Sequence, residues 1–135
     1  MTARKTATRT TGTAAARRRP LARPTLLTLV ATTLADLKAQ NVAVLDVRQL
    51  TDVADTIVIA SGTSDRHVKS LASRVLERAR DAGFRALGIE GEREGEWVLV
   101  DLQDVIVHVM LPRVREFYAL EKLWDARAGA HFAPG

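Results

Sequence analysis

Along most of the chain, apolar side chains recur at one of two spacings. A spacing of three or four residues predicts a helix, and a spacing of two predicts a strand. A helix over residues 65–82 has the strongest pattern, because its apolar positions share one side while charged residues occupy the other. Ser64 can cap its first turn, and Gly83 suits the position just beyond its end. The apolar side consists of Val68, Leu71, Ala72, Val75, Leu76 and Ala79.

Two further helices are predicted, one on each side of this segment. The first has apolar residues at helical spacing from Leu26 to Leu37, with Asn41 as its C-terminal stop. The second covers residues 112–124 and begins with Pro112, a residue favoured in a first helical turn. Phe117 and Leu120 share one side of this helix, so we expect Phe117 to lie in the core.

Five short segments favour strands. Residues 42–47 and 56–60 are rich in β-branched side chains, and residues 84–89 follow the same tendency more weakly. Residues 97–102 and 105–111 are strongly apolar and only two residues apart, so we expect them to pair as a hairpin. This order of elements predicts a single α/β domain whose mixed sheet of about five strands, parallel and antiparallel, is flanked by helices.

Charge is divided unevenly along the 135 residues, which carry a formal net charge of +4. Residues 1–35 contain seven basic side chains and no acidic one, so the rest of the chain is mildly acidic. Residues 1–24 are rich in Thr, Ala and Arg without apolar periodicity, and such segments bury too little apolar surface to fold. We therefore expect a disordered basic tail at 1–24, a domain at 25–126 and a flexible C-terminus at 127–135.

Three interpretations of the tail remain open: an inert extension, an electrostatic arm for the phosphates of RNA, or an organellar transit peptide. Arg17, Arg18 and Arg19 form its densest basic cluster and are the candidate RNA contacts. Pro20 and Pro24 interrupt an amphipathic helix, which makes the transit peptide the least favoured of the three.

Composition excludes several classes of protein. The chain has no cysteine, which removes disulfide scaffolds, thiolate catalysis and metal sites with Cys ligands. Its apolar runs are far shorter than the ~20 residues that a membrane-spanning helix needs. We expect a cytoplasmic protein with no membrane partner.

One loop and two carboxylates are candidates for chemistry. Residues 61–65, Ser-Gly-Thr-Ser-Asp, lie between a predicted strand and a predicted helix, where backbone N–H groups can hold an anion, but no phosphate-binding motif is present. Asp101 and Asp104 are three residues apart across a turn, whereas a metal-dependent nucleotidyl transferase needs two carboxylates at alternate positions of one strand. Both features are better explained as ordinary turn chemistry.

The histidines offer no metal site. His67, His108 and His131 are scattered, without the paired spacing of metal ligands. His108 alternates with apolar neighbours on its strand, so it faces the opposite side of the sheet and is expected as a surface contact. The residues therefore indicate no catalytic group, no metal and no cofactor.

Two other features indicate a binding surface. Large aromatic anchors beside acidic charge suit an interface with a basic protein. A solvated acidic loop and aromatic residues in the core would give the same pattern, and the residues alone do not separate these alternatives. The acidic residues are Glu90, Glu92, Glu94 and Glu96, directly before Trp97, and the aromatic residues are Phe117, Tyr118 and Trp124.

Between about residues 25 and 125 the chain resembles the Iojap family of ribosomal silencing factors. The most specific segments are GTSDRHV at 62–68, VHV at 107–109 and LEKLW at 120–124. Two departures are Thr56, where the family commonly has an aromatic residue, and the long basic tail. Further matching positions are Asp46, Ile59, Ala60, Ser61, Glu90, Gly91, the segment from Trp97 to Asp101, Arg115, Tyr118 and Ala119.

The resemblance implies a non-enzymatic regulator of translation with a nucleotidyltransferase-like fold. Members of the family bind the large ribosomal subunit through a basic ribosomal protein, number fourteen, on the face that meets the small subunit. Occupying that face blocks subunit association and lowers translation when nutrients are short. Members often form homodimers, although no heptad or self-complementary patch indicates one here. A nucleotide-binding or nucleotidyltransferase-like enzyme that uses residues 61–65 is the alternative.

The resemblance also implies the contact residues. Trp97 and Tyr118 match the family's contact positions and coincide with the aromatic anchors identified above. Contact of the tail with ribosomal RNA gains no support from the resemblance. The residues expected to share the protein-binding surface with Trp97 and Tyr118 are Glu90, Asp101, His108 and Trp124.

Overall fold

The computed structural model describes residues 25–123, which build a five-stranded sheet with helices on both faces. The strands lie in the order β1-β2-β5-β4-β3, and only the central pair, β2 and β5, is parallel. The predicted mixed α/β fold is confirmed. The elements are α1 (Leu26–Asp36), β1 (Gln40–Asp46), β2 (Thr56–Ser61), α2 (Asp65–Asp81), β3 (Gly88–Glu90), β4 (Trp97–Asp101), β5 (Val105–Met110) and α3 (Pro112–Tyr118).

Several predictions fall outside the described residues. These concern the basic tail at 1–24 with its arginines, the C-terminal segment at 127–135, and the single residues Trp124 and His131. No helix within residues 25–123 is long and apolar enough to cross a membrane.

The larger core lies between the sheet and the helices α1 and α2. Alternate residues of β2, β4 and β5 point to this face, as the twofold period of a strand requires. The apolar side predicted for α2 meets them, since Val68, Leu71 and Val75 are fully buried. Burial of this amphipathic side, rather than helix propensity, accounts for most of the stability of such a helix.

The smaller core lies on the other face of the sheet, beneath α3. Val114 of α3 packs there against Ile59 of β2 and Met110 of β5. Trp97 and Leu120 cover the edge of this cluster and are only partly buried. This face is therefore less completely covered than the opposite one.

The ends of α2 are built as predicted. The Ser64 hydroxyl accepts a hydrogen bond from the His67 backbone N–H at 3.1 Å, and Gly83 takes a positive φ of 88° just beyond the helix. The His67 ring also joins two helices: its Nδ1 accepts from the Thr63 backbone N–H at 2.9 Å, and its Nε2–H donates to the Leu37 carbonyl at 2.8 Å. His67 is thus a structural link between the start of α2 and the end of α1.

Two predicted boundaries are wrong. Helix α1 ends at Asp36 instead of near residue 41, because Lys38 takes a positive φ of 63° and the chain turns directly into β1. The predicted strand 84–89 is reduced to β3, because the Phe84 N–H closes the end of α2 by donating to the Ala79 carbonyl. The hairpin of β4 and β5 is confirmed, with Trp97 opposite Met110.

Candidate functional site

Four rings lie together where β4 begins and α3 ends, and we call them the aromatic cluster: Trp97, His108, Phe117 and Tyr118. The Trp97 and Tyr118 rings are 4.9 Å apart between centroids and tilted by 49°, and Phe117 meets Tyr118 edge-to-face at 5.0 Å. These are favourable geometries for aromatic pairs. Phe117 is 79% exposed and Tyr118 is 56% exposed, so two large aromatic side chains are presented to solvent side by side.

His108 supports the cluster from below. The Trp97 indole Nε1–H donates to His108 Nδ1 at 2.9 Å, so the imidazole carries its proton on Nε2 when it is neutral. Burial lowers the pKa of His108 to about 4, because a charged ring would lose its hydration. The residue does face away from Val107 and Val109, but it is buried instead of being the predicted surface contact, since Trp97 lies against it.

The last predicted helix is broken, and this exposes Phe117. Helix α3 ends at Tyr118 because Ala119 takes the left-handed conformation, with φ 51° and ψ 46°, and helical turns resume only at 120–123. Phe117 and Leu120 therefore do not share a side. Leu120 packs on the smaller core, whereas Phe117 is in solvent, which overturns the prediction that Phe117 belongs to the core.

Residues 90–96, which we call the acidic loop, lie beside Trp97. Glu92 and Glu94 are exposed, and Glu96 forms an exposed ion pair with Arg113 at 3.2 Å. The loop is folded against the protein: its Gly95 N–H donates to the Gly91 carbonyl, and Gly95 is buried against the start of α2. Of its glutamates, Glu96 lies at the edge of the aromatic cluster, since it lines the same groove as Trp97 and Tyr118.

The other predicted contact residues are spread along the same face of the sheet. Glu90 pairs in register with Leu99, and Leu99 shares a face with Trp97. Asp101 is also on this face, but it lies at the far end of β4, about 13 Å from Trp97 along the strand. There its Oδ1 accepts from the Gln103 backbone N–H at 2.9 Å, the turn bond that the sequence suggested. The structure thus groups Trp97, His108 and Tyr118 and leaves Asp101 apart.

A groove of about 380 Å³ runs along the cluster. A second groove, of about 530 Å³, continues towards the start of α2. Glu96 and Arg113 line both grooves, so their ion pair marks the border between them. The remaining lining of the first groove is Trp97, Val114, Phe117 and Tyr118.

In the loop at 61–65, the groups of the first three residues that could hold an anion are engaged within the protein. The Gly62 N–H donates to the Met110 carbonyl at 3.1 Å, and the Thr63 N–H donates to His67 Nδ1. Ser61 is buried, and its hydroxyl accepts from Arg115. These groups are therefore already paired within the protein. Within residues 25–123, no group of three or more His, Cys, Asp or Glu side chains is placed to hold a metal ion.

One cluster of polar residues escaped the sequence analysis. Arg115 donates from Nε and Nη2 to the two carboxylate oxygens of Glu121, at 2.7 and 2.8 Å, and from Nη1 to Ser61 Oγ at 2.9 Å. Arg115 draws the pKa of Glu121 below its usual value by these hydrogen bonds. Arg115 and Glu121 are six residues apart, a spacing that does not bring side chains together on a continuous helix, so helical spacing could not reveal the pair.

Comparison with known proteins settles the family. A family model described as ribosomal silencing factor during starvation matches residues 20–132. The chain belongs to the ribosomal silencing factor family. Ribosomal silencing factor RsfS of Chromobacterium violaceum is 45% identical over 94 residues, which cover 70% of this chain and 77% of that protein. The RsfS of Haemophilus influenzae is 40% identical over 92 residues, covering 68% of this chain and 90% of the relative.

Solved structures agree with this assignment. A crystal structure of a Chromobacterium violaceum protein superimposes on this chain with a TM-score of 0.72 and 43% sequence identity, covering 73% of this chain and 82% of that one. The family resemblance found in the sequence is confirmed. Arg17, Arg18 and Arg19 precede the part of the silencing factor that the family model matches.

Proposed function

We propose that this ribosomal silencing factor binds the large ribosomal subunit through its basic protein number fourteen and sterically prevents the small subunit from joining. Translation is thereby repressed when nutrients are limiting. The protein acts in the cytoplasm and catalyses no reaction of its own. The observation that carries the proposal is the exposed aromatic pair, Phe117 and Tyr118, whose Tyr118 ring contacts Trp97 beside the acidic loop.

The aromatic cluster has the properties of a binding hot spot. Large rings supply contact area at a small entropic cost, and well-packed aromatic anchors often dominate the free energy of binding. Tyr118 is fixed by rings on both sides, so little motion remains to be lost on binding. Two solvent-exposed rings on a folded domain are therefore better explained by a partner than by stability.

The electrostatics favour a basic partner. Glu96 lines the groove along the cluster, and Glu92 and Glu94 are exposed in the same loop. Glu90 extends the negative charge along the sheet, because it pairs in register with Leu99. Complementary charge speeds association and suppresses wrong partners. In this proposal Trp97, Tyr118 and the glutamates contact the partner, His108 holds the Trp97 ring in place, and Asp101 lies at the margin.

The decisive experiment is co-sedimentation of the purified protein with isolated large subunits on sucrose gradients, followed by addition of small subunits. We expect stoichiometric binding to the large subunit and loss of joined ribosomes. Absence of binding at low salt would overturn the proposal. Binding that leaves subunit association intact would overturn the steric mechanism.

The contact residues are tested by substitution. We expect Trp97→Ala and Tyr118→Ala each to weaken subunit binding by about 2 kcal/mol, because each removes a central aromatic anchor. Phe117→Ala is the cleanest variant, since a side chain 79% exposed contributes little to the fold. Val53→Ala is the matched control, because Val53 is 70% exposed and lies in the loop between β1 and β2. Normal binding by all three aromatic variants, with circular dichroism confirming that they are folded, would refute this surface.

A further inference from the structure

The chain between α3 and residue 123 adopts one of two mutually exclusive arrangements. A continuous helix over residues 112–124 would place Phe117 and Leu120 on one side, as their spacing predicts. In the structure Ala119 interrupts the helix with a positive φ of 51°, a conformation that residues other than glycine rarely adopt. Leu120 then packs on the core while Phe117 and Tyr118 are exposed.

The pair of Arg115 and Glu121 is compatible only with the broken arrangement. In a continuous helix, residues six positions apart are separated by about 9 Å along the axis and by about 240° around it, so their side chains face different directions. The observed bidentate bonds of 2.7 and 2.8 Å require the chain to turn back between them. The free energy of this pair therefore favours the break over the continuous helix.

The same arginine also ties the break to the sheet. Its third bond, of 2.9 Å, reaches Ser61 Oγ at the end of β2, and Ser61 is buried. The Arg115 side chain is only 11% exposed, so water screens these bonds weakly. A planar guanidinium can bind both oxygens of a carboxylate side by side while a third N–H serves a hydroxyl, and the point-like ammonium group of lysine does not reproduce that bidentate geometry.

We propose that Arg115 is a positioning residue that, by joining Glu121 to Ser61, holds the left-handed break at Ala119 and so keeps Phe117 and Tyr118 on the surface. Its effect on the ribosome rests on the function proposed above. Its effect on the conformation does not, because the aromatic cluster can be observed in the free protein.

The test compares Arg115→Gln and Glu121→Gln with a rescue variant and a control. In the free proteins, NMR reports the contact between the Trp97 and Tyr118 rings, whose centroids are 4.9 Å apart. Co-sedimentation gives the affinity for large subunits. We expect both glutamine variants to remain folded, to lose the ring contact and to bind at least about tenfold more weakly.

Ala119→Gly is the rescue, because glycine adopts a positive φ at no steric cost and so favours the break without the ion pair. Added to Arg115→Gln, it is expected to restore the ring contact and most of the affinity. Arg74→Gln is the control, because it breaks an exposed ion pair with Glu77 on the outer side of α2. We expect that control to behave as the unmodified protein.

Two results would overturn the inference. One is a folded Arg115→Gln variant that keeps the ring contact. The other is a loss of ring contact and affinity that Ala119→Gly does not restore, since a general loss of packing would behave in that way. If the unmodified protein fails to bind large subunits, the proposed function is wrong, and the ring contact alone still decides the role of Arg115.

Discussion

His108 accepts a hydrogen bond from the Trp97 indole while it is buried beneath the aromatic cluster. This bond needs a neutral imidazole, because a protonated Nδ1 cannot accept. Protonation of His108 would therefore break its hydrogen bond with Trp97 and also place a charge in the core. His108 thus links the stability of the domain to the position of the Trp97 ring in the candidate binding surface.

The pH dependence of stability follows from the two pKa values of His108. The unfolded chain binds the proton near pH 6.5, whereas burial lowers the pKa in the folded state to about 4. The contribution of neutral His108 to the free energy of unfolding is therefore fully present above pH 6.5. It is lost as the pH falls towards 4, by up to about 3 kcal/mol.

Urea unfolding at pH 7 and at pH 4.5 measures this loss. His108→Gln is the comparison, because its amide oxygen can still accept from Trp97 but does not titrate in this range. We expect the variant to lose distinctly less stability between the two pH values. An equal loss in both proteins would show that His108 does not titrate in this way.

At the residue level the sequence predicted which side chains are candidate anchors better than it described their surroundings. Alternation along β5 assigned His108 to the correct face of the sheet, but burial depends on Trp97, which arrives from another strand. Aromatic residues near acidic charge drew attention to Trp97 and Tyr118, and the family resemblance, not that pattern alone, favoured them as contacts. Their contact of 4.9 Å is a tertiary feature that no local pattern encodes.

Gly91 shapes the start of the acidic loop. Gly91 has a φ of 88°, and a Cβ at this position would collide with the Trp97 carbonyl oxygen. The loop therefore approaches β4 more closely than any other residue would allow.

We expect Gly91→Ala to destabilise the domain by about 2 kcal/mol or more, because it combines an unfavourable φ with a steric clash. Gly88→Ala is a fitting control, since a Cβ at Gly88 would meet no atom within 4 Å. Thermal unfolding compares the two variants. The explanation fails if both lose the same small amount of stability.

The sequence predicted secondary structure well where all the signals for an element lie within that element. Helix α2 has a full apolar side, a capping Ser64 and a terminal Gly83, and all three signals agree. Helix α3 is the opposite case, because its spacing predicts a continuous helix through Ala119. The break is selected by the bond from Arg115 to Glu121 and by the packing of Leu120, which the helical period does not contain.

On the scale of the whole molecule, charge and aromatic surface are arranged asymmetrically. Residues 36–135 contain 13 basic and 16 acidic side chains, and the acidic loop lies next to the aromatic cluster. The basic excess belongs to the first 35 residues. If the acidic domain binds the large subunit, the affinity is expected to change with salt concentration in a different way than if the basic tail binds it.

We expect deletion of residues 1–24 to leave most of the affinity for the large subunit, because the proposed surface lies within residues 25–123. Binding titrations at several salt concentrations compare the full chain with the truncated one. If the tail instead neutralises RNA phosphates, deletion will weaken binding greatly and flatten its salt dependence.

The parallel pairing of β2 with β5 has a consequence for how the protein is made. Strand β2 is close in sequence to its neighbour β1, but its other neighbour begins only at Val105. Until then the apolar edge of β2 has no partner, and such edges are prone to misassembly. The sheet therefore closes late, and the strand that closes it also supplies His108. In pulsed hydrogen exchange during refolding, the amides of β2 that face β5 should gain protection after those of α2, and simultaneous protection would argue against this order.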